Sequence, residues 1–431
     1  VLKPEDNERL CRIGPGTPMG ALLRRYWLPA ALSEELPEPD GAPVRVRILG
    51  EDLIAFRDTH GDVGLVSAFC PHRRAPMFFG RNEECGLRCV YHGWKFDRDG
   101  TCVDMPSEPP DSAILRQAQD DRVRIEAYPT WEGGGMVWAY LGPPELRPPA
   151  PEFEVCRAPA THRTTTKILQ ECNWVQALEG AIDSVHSGML HSDTIHDPRL
   201  LRNQRCEVEF DLEPYGLGGA AIHPLADPRF PEPFYARSFH YVMPIHSIRG
   251  LKYTRYGEID PAPTISGQIY VPIDDHSCWA YSYLYSAVPE IELPQAIVQR
   301  RGLPSAENPP PKDYRSPRNI RNDYLIDRQL QKTTSYTGIT GMNTQDFAVQ
   351  EGMGGSGAIC DRSREHLAHS DQVIIAMRRL LFEGADAVER GEAPRGLDPA
   401  VYRDVRGTDA MVPEGTTWRT VLREGLAARF A

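Results

Sequence analysis

Cys70 and His72 stand in Cys-Pro-His, Cys89 and His92 in Cys-Val-Tyr-His, and sixteen residues separate the two motifs. Two thiolates and two imidazoles, mixed within each motif, meet the needs of a [2Fe–2S] cluster of the Rieske type. One iron keeps Cys ligands and the other takes neutral His nitrogens, which raises the potential above that of an all-Cys ferredoxin. Each motif gives one ligand to each iron, so two short loops clamp the cluster from both sides. Structural zinc is the competing chemistry, but zinc modules usually pair like with like, as C-x2-C followed by H-x3-H. Here each half is mixed, and the gap suits two separate loops.

A second constellation lies in Asn173-Trp174…Glu179-Gly180-Ala-Ile-Asp183-Ser-Val-His186-Ser-Gly-Met-Leu-His191. Helical periodicity runs over 173–190. Asp183 and His186, three apart, fall on neighbouring helix faces. His186 and His191, five apart, do not align on a regular helix, and Ser187-Gly188 offers a break that lets the second ring swing round. Two His with a carboxylate from elsewhere form the facial triad of non-haem Fe(II) oxygenases. His196 is a rival for either ring, and packing or capping is the ordinary use of such residues. A cluster that delivers single electrons needs an acceptor, which favours the metal reading.

These residues need a scaffold, and the chain has the length for one. At 431 residues it has room for more than one domain. Its 41% hydrophobic content is that of a globular protein, and apolar runs such as Val373–Met377 are too short to cross a bilayer. A net charge of −12 argues against nucleic acid or anionic lipid as partner. The beginning, VLKPEDNERL, has no apolar signal core, and the remaining Cys show no disulfide rhythm, so a cytoplasmic location is expected.

Residues 1–40 read as a helical segment with Leu22, Leu23 and Trp27 after a Gly-Pro-Gly turn. From Val44 short alternating stretches such as VRVRI and DLIAF read as antiparallel β and continue to Leu141. Five prolines between 143 and 151 make a stiff connector. The expected domains are therefore 1–40, 41–150 and 151–431. Beyond 150, strand-like runs mix with helix, 303–319 reads as a loop, and 370–391 as an amphipathic helix with Val373, Ile374, Met377, Leu380 and Leu381 on one side.

Together these motifs resemble the oxygenase (α) component of Rieske non-haem iron aromatic ring-hydroxylating oxygenases, in the phthalate dioxygenase-like branch. The resemblance spans essentially the whole chain. It rests on the cluster motifs, on N-W…E-G-x2-D-x2-H-x4-H, and on Gln345-Asp346 in NTQDFAVQEG followed by Asp361-Arg-Ser-Arg-Glu-His-Leu367. It implies an α+β fold: an all-β Rieske domain, then a helix-grip catalytic domain in which an antiparallel sheet wraps a long helix. It implies that His186, His191 and Asp346 bind the mononuclear iron, with Asp183 as the electron bridge. From residue types alone, Glu351 and Asp361 are carboxylates in the same stretch, and position does not choose. Cytochrome-type Rieske proteins add a disulfide inside the two loops. Cys85 and Cys102 do not occupy those positions, which points to the lower-potential kind.

The implied reaction is hydroxylation of an aromatic carboxylate, foremost cis-dihydroxylation, with O2 and electrons from a reductase carrying flavin and a plant-type iron–sulfur centre. A monooxygenase or O-demethylase on the same centres, a phthalate dioxygenase, and from another class a Rieske electron carrier, are the alternatives. The implied assembly is a head-to-tail homotrimer, with a stacked hexamer as the larger form. Arg73, Arg74, Arg81, Arg88 and Lys95 around the cluster motif form a basic surface suited to an acidic reductase. For the substrate, the run Tyr241–Arg249 offers Arg249 or His246 to a carboxylate, with His223 on a neighbouring stretch. Phthalate enzymes carry a further Arg in the preceding strand pair. Tyr215–His223 has none, so a monocarboxylate such as a chlorobenzoate or phenoxybenzoate is expected over phthalate.

Overall fold

The computed structural model describes residues 2–119, 122–192, 206–225, 229–253, 257–300, 313–423 and 430. His196 and most of the expected loop at 303–319 lie outside them. The chain divides into two compact units, Arg24–Ala150 and Val1–Leu23 with Pro151–Ala431.

The smaller unit is all-β in its sheets. Its strands are β1 (Trp27–Leu32), β2 (Val44–Ile48), β3 (Glu51–Arg57), β4 (Val63–Ser67), β5 (Arg81–Glu83), β6 (Gly86–Arg88), β7 (Lys95–Phe96), β8 (Cys102–Asp104), β9 (Ala127–Tyr128), β10 (Thr130–Gly133) and β11 (Met136–Tyr140). They form antiparallel sheets ordered β1-β11-β10, β2-β3-β4-β9 and β5-β6-β7-β8. In β2 the alternation decides the faces: Val46 and Ile48 are buried while Arg45 and Arg47 are exposed. Two-residue turns with both central residues at positive φ, Leu49-Gly50 and Glu84-Cys85, close the β2–β3 and β5–β6 hairpins.

The expected helical segment 1–40 is divided. Helices α1 (Pro4–Cys11) and α2 (Pro18–Leu23) belong to the larger unit, whereas Trp27–Leu32 is a strand paired with β11. Five of its six residues are buried, so a one-sided helical stripe does not describe it.

The larger unit is built on one antiparallel sheet. Its strands are β12 (Arg163–Gln170), β13 (Glu207–Glu213), β14 (Gly216–Pro224), β15 (Phe234–Val242), β16 (His246–Tyr253), β17 (Ile259–Asp274), β18 (Ser277–Ser286) and β19 (Asp409–Val412). The order is β12-β18-β17-β16-β15-β14-β13, with β19 paired to β15. The helices that matter for the site are α3 (Trp174–Ile182), the single turn α4 (Ser187–Leu190), α5 (Met342–Gly352) and α6 (Gln372–Glu389). The buried residues of α6 include Val373, Ile374, Met377, Leu380 and Leu381. Among the described residues no helix is long and apolar enough to cross a membrane.

Helix α3 is fixed on three sides. Asn173 caps its start by accepting from Val175 N at 3.1 Å. Glu179 takes a guanidinium from Arg362 (2.9 Å) and another from Arg378 (2.7 Å), both nearly without solvent exposure. Gly180 faces Gln350 of α5 so closely that a Cβ would collide with its amide. Gln350 in turn receives bonds from Gln170 Nε2 (2.6 Å) and Gln176 Nε2 (2.7 Å). These contacts seat α5 on α3.

Candidate metal centres and substrate face

The two cluster loops share one hydrogen-bond design. Cys70 N donates to Ala75 O at 2.9 Å, and Arg74 N donates back to Cys70 O at 2.9 Å. Cys89 N donates to Trp94 O at 2.8 Å, and Gly93 N returns to Cys89 O at 2.9 Å. Each loop closes on a residue of positive φ, Arg74 at 60° and Gly93 at 79°. Gly93 is doubly required, because a Cβ there would meet Pro106 Cγ at 2.6 Å. Arg88 Nη1 braces the second loop by donating to Gly93 O and Asp104 Oδ2, both at 2.7 Å.

This design brings the four donors together. The His72 and His92 rings lie 4.6 Å apart, and Trp94 stacks on His72 at 4.5 Å. His72 Nδ1 is buried with no hydrogen-bond partner among the described residues, an orphan that a metal bond would satisfy. Burial pushes the Cys70 thiol up to about 11, with adjacent Cys89 adding to the effect. Such thiols ionise at neutral pH when a metal takes the place of the proton. The donor set fits a [2Fe–2S] cluster. All ten Cys are free, including Cys85 at its hairpin tip and Cys102.

The expected basic surface is smaller than its five residues. Arg81 and Arg88 pair with Glu83, Arg88 also with Asp104, and Lys95 with Glu84. Arg73 and Arg74 remain exposed, lying over the Tyr91 and Phe69 rings.

The second constellation also assembles, though not through the expected break. Helix α3 ends at Ile182, and Asp183, at ψ 119°, turns the chain there. His186 and His191 then flank α4 as its two caps. The break is therefore at Asp183 rather than Ser187-Gly188. One ligand atom each from His186, His191 and Asp346 of α5 lies within 4.8 Å of the others. His191 Nε2 and His186 Nε2 stand 3.1 and 3.4 Å from Asp346 Oδ1. His191 is 3% exposed against 20% for His186 and Asp346, so the group is closed on one side and open on another. Two imidazoles and one carboxylate with an open side fit a mononuclear iron.

The rival carboxylates point elsewhere. Glu351 accepts from Tyr324 OH and Glu171 N, and Asp361 accepts from Ser363 N. Asp183 accepts from Val185 N at 2.7 Å and stands 3.2 Å from His186 Nδ1. Burial opposes charge throughout, yet hydrogen bonds prevail. His186 and His191 hold Asp346 down at about 2, and Asp183 and Asp346 lift His186 to about 9.

Sheet parity sorts the substrate candidates. Arg249 reaches the end of α3, where its Nη2 donates to Ala181 O and, at 3.2 Å, to Asp183 O. That face of β16 therefore looks toward the triad. His246, an odd number of residues away in unbroken register, is on the other face. There it packs on Phe153 and meets Tyr283 OH at 2.7 Å, so the expectation that it lines the substrate side is corrected. His223 shares the face of Arg249 through its pairing with Tyr235, with Cys206 Sγ 3.7 Å from its ring.

Arg237 was missed. It is two residues from Phe239, which pairs with Arg249, so both guanidinium groups project from one face. Burial, followed by the nearby Arg237, brings Arg249 down to about 10. The Nε of each is buried without a hydrogen-bond partner among the described residues. The strand that follows Tyr215–His223 thus places a second cation on the face of Arg249. Alternation in FYARSFHYV, with a three-residue connection to His246, was the signal that could have placed it.

Two family profiles cover this chain: the Rieske [2Fe-2S] domain over residues 26–129, and the "LigXa C-terminal domain like" family over 139–425. The oxygenase subunit of phthalate 4,5-dioxygenase from Pseudomonas putida is 37% identical, with 97% of this chain and 94% of that one aligned. The chain belongs to the Rieske non-haem iron oxygenases. A second relative of this Rieske oxygenase is the 3-chlorobenzoate-3,4-dioxygenase oxygenase subunit from Comamonas testosteroni, 34% identical over 97% of this chain and 98% of the relative. The crystal structure of dicamba monooxygenase bound to dicamba shares the fold, with a TM-score of 0.59 at 20% identity over 86% of this chain and 99% of that one. As a Rieske oxygenase subunit the protein uses a [2Fe–2S] cluster and mononuclear iron, and it works with O2 and a reductase.

Proposed function

We propose that this Rieske oxygenase cis-dihydroxylates an aromatic carboxylate that bears a second acidic or polar substituent. The observation that carries this reading is the pair Arg237 and Arg249, projecting from the sheet face that looks toward His186, His191 and Asp346. Unpaired guanidinium N–H groups at the edge of a buried site favour a carboxylate, whose charge-assisted bonds replace lost water. Both relatives described above are named as dioxygenases of aromatic acids, which supports dihydroxylation.

Cys70, His72, Cys89 and His92 would hold the cluster, and His186, His191 and Asp346 the mononuclear iron. Once bound, the cluster supplies single electrons and the iron supplies O2 activation. Asp183 keeps His186 in the tautomer whose Nε2 faces Asp346. With its side chain 31% exposed, Asp183 also has an edge for a second imidazole N–H. In a head-to-tail homotrimer, or a hexamer of two such rings, that imidazole is His72 or His92 of the neighbouring subunit. Arg73 and Arg74 would receive the reductase.

The test is oxygen uptake with a compatible reductase against benzoates, phthalates, methoxybenzoates and their methyl esters, followed by product analysis. The reading requires uptake with acids, little with esters, and a cis-diol product. Equal turnover of the esters would remove the arginine pair from this account. A phenol plus formaldehyde from the methoxybenzoates, without a diol, would replace dihydroxylation by demethylation.

A further inference from the structure

The two imidazoles of the triad are oriented by unlike groups. His186 Nδ1 faces the carboxylate of Asp183, whereas His191 Nδ1 lies 2.7 Å from the side-chain oxygen of Gln345. Gln345 is 1% exposed, so water does not compete for either end of its amide.

The orientation of that amide follows from its other neighbours. Gln345 Nε2 is 2.9 Å from Ile339 O and 3.0 Å from Thr337 Oγ1. A backbone carbonyl only accepts, so the amide nitrogen must lie on that side and the oxygen must face His191. An amide oxygen also only accepts, so His191 carries its hydrogen on Nδ1. Nε2, on the side where Asp346 Oδ1 stands at 3.1 Å, is then the atom left to bind a metal, which would take the place of any hydrogen there. Gln345 and Asp346 are consecutive on α5, and the roughly 100° turn per residue of a helix lets them meet opposite edges of one ring.

We propose that Gln345 is a positioning residue for the mononuclear iron: a neutral acceptor, anchored by Thr337 and Ile339, that fixes the tautomer and plane of His191. This rests on the reading that His191 is an iron ligand. One imidazole is thereby backed by a carboxylate and the other by an amide, so the two rings differ in basicity. The asymmetry makes the His186 edge, next to Asp183, the more electron-rich side of the site.

The test is Fe(II) affinity of the full-length protein after removal of the mononuclear metal, with the cluster spectrum and the thermal transition as controls for folding. Gln345→Leu removes both ends of the amide. Gln345→Glu keeps an acceptor for His191 and loses both donors to the loop. The proposal expects Gln345→Leu to weaken Fe(II) by roughly 10- to 100-fold, and Gln345→Glu to bind at least as tightly as wild type. Wild-type affinity in Gln345→Leu would overturn it. So would equal losses in both variants, which would mean that the side chain braces the loop instead of the ring. If Gln345→Leu fails to fold, Gln345→Glu still decides, since a tenfold loss there contradicts the role. His191→Ala is the reference: if it retains Fe(II), the ligand reading itself has failed, and that result is distinct from any seen at Gln345.

Discussion

The two metal regions are built on opposite principles. The cluster donors fall within residues 70–92, on two loops that repeat one backbone design and need little beyond themselves. The triad joins the two caps of α4 to α5, with His191 and Asp346 155 positions apart, and it depends on the seating of α5 on α3. Its seating contacts are Gly180 against Gln350 and Gln176 Nε2 on Gln350 O, while Glu179 holds α3 itself between two buried arginines. A local site tolerates damage elsewhere in the chain, and an assembled one does not. The account therefore expects the two centres to be lost independently.

The largest effect tests the local side. Cys89→Ala removes one of four protein ligands, and the visible absorption should disappear with all turnover, while the mononuclear site still takes up Fe(II). Retained colour would place the cluster elsewhere. Next comes the assembled side. Glu179→Ala leaves Arg362 buried without its anion and Arg378 with Glu365 alone, a cost of about 3–5 kcal/mol. Calorimetry should show the catalytic unit melting earlier and losing its iron, with the cluster spectrum intact. A variant that bleaches at the same temperature as it melts would join what the comparison separates.

Asp183→Asn should keep both metals, because the side chain is similar in volume, yet turn over on the order of 100-fold more slowly. Single-turnover kinetics check it: cluster reoxidation in the presence of substrate and O2 should be slow, and a normal rate would mean that electrons bypass Asp183. The smallest effect concerns the substrate face. Arg237→Gln should cost about 1.5–3 kcal/mol, roughly 10- to 100-fold in kcat/KM, with phthalate hit harder than 3-chlorobenzoate. Equal losses on both acids would say that Arg237 does not read the second substituent.

The same contrast explains what the sequence disclosed. Cys70, His72, Cys89 and His92 were legible because their spacing is itself the loop geometry. Asp183, His186 and His191 were legible as types, but the break that unites them was misplaced, since the C-cap of α3 depends on Arg249 drawing its last carbonyls to the sheet. Asp346 needed the family resemblance, because nothing local separates it from Glu351. His246 was offered beside Arg249 because both lie on one strand-like run, and alternation, which puts residues three apart on opposite faces, was not applied to them. Arg237 was hidden by register: which side chains are neighbours across strands is set by a turn 6 residues away from it, not by the residues themselves. The strand at Trp27–Leu32 was read as helix because two true helices precede it.

The most direct measurement is iron content of Asp346→Ala together with the electron paramagnetic resonance of its reduced cluster. The account predicts loss of the mononuclear iron with the mixed His/Cys [2Fe–2S] signal unchanged, and no product from any aromatic acid. Full iron occupancy with wild-type turnover would contradict it, and the third ligand would have to be sought outside α5.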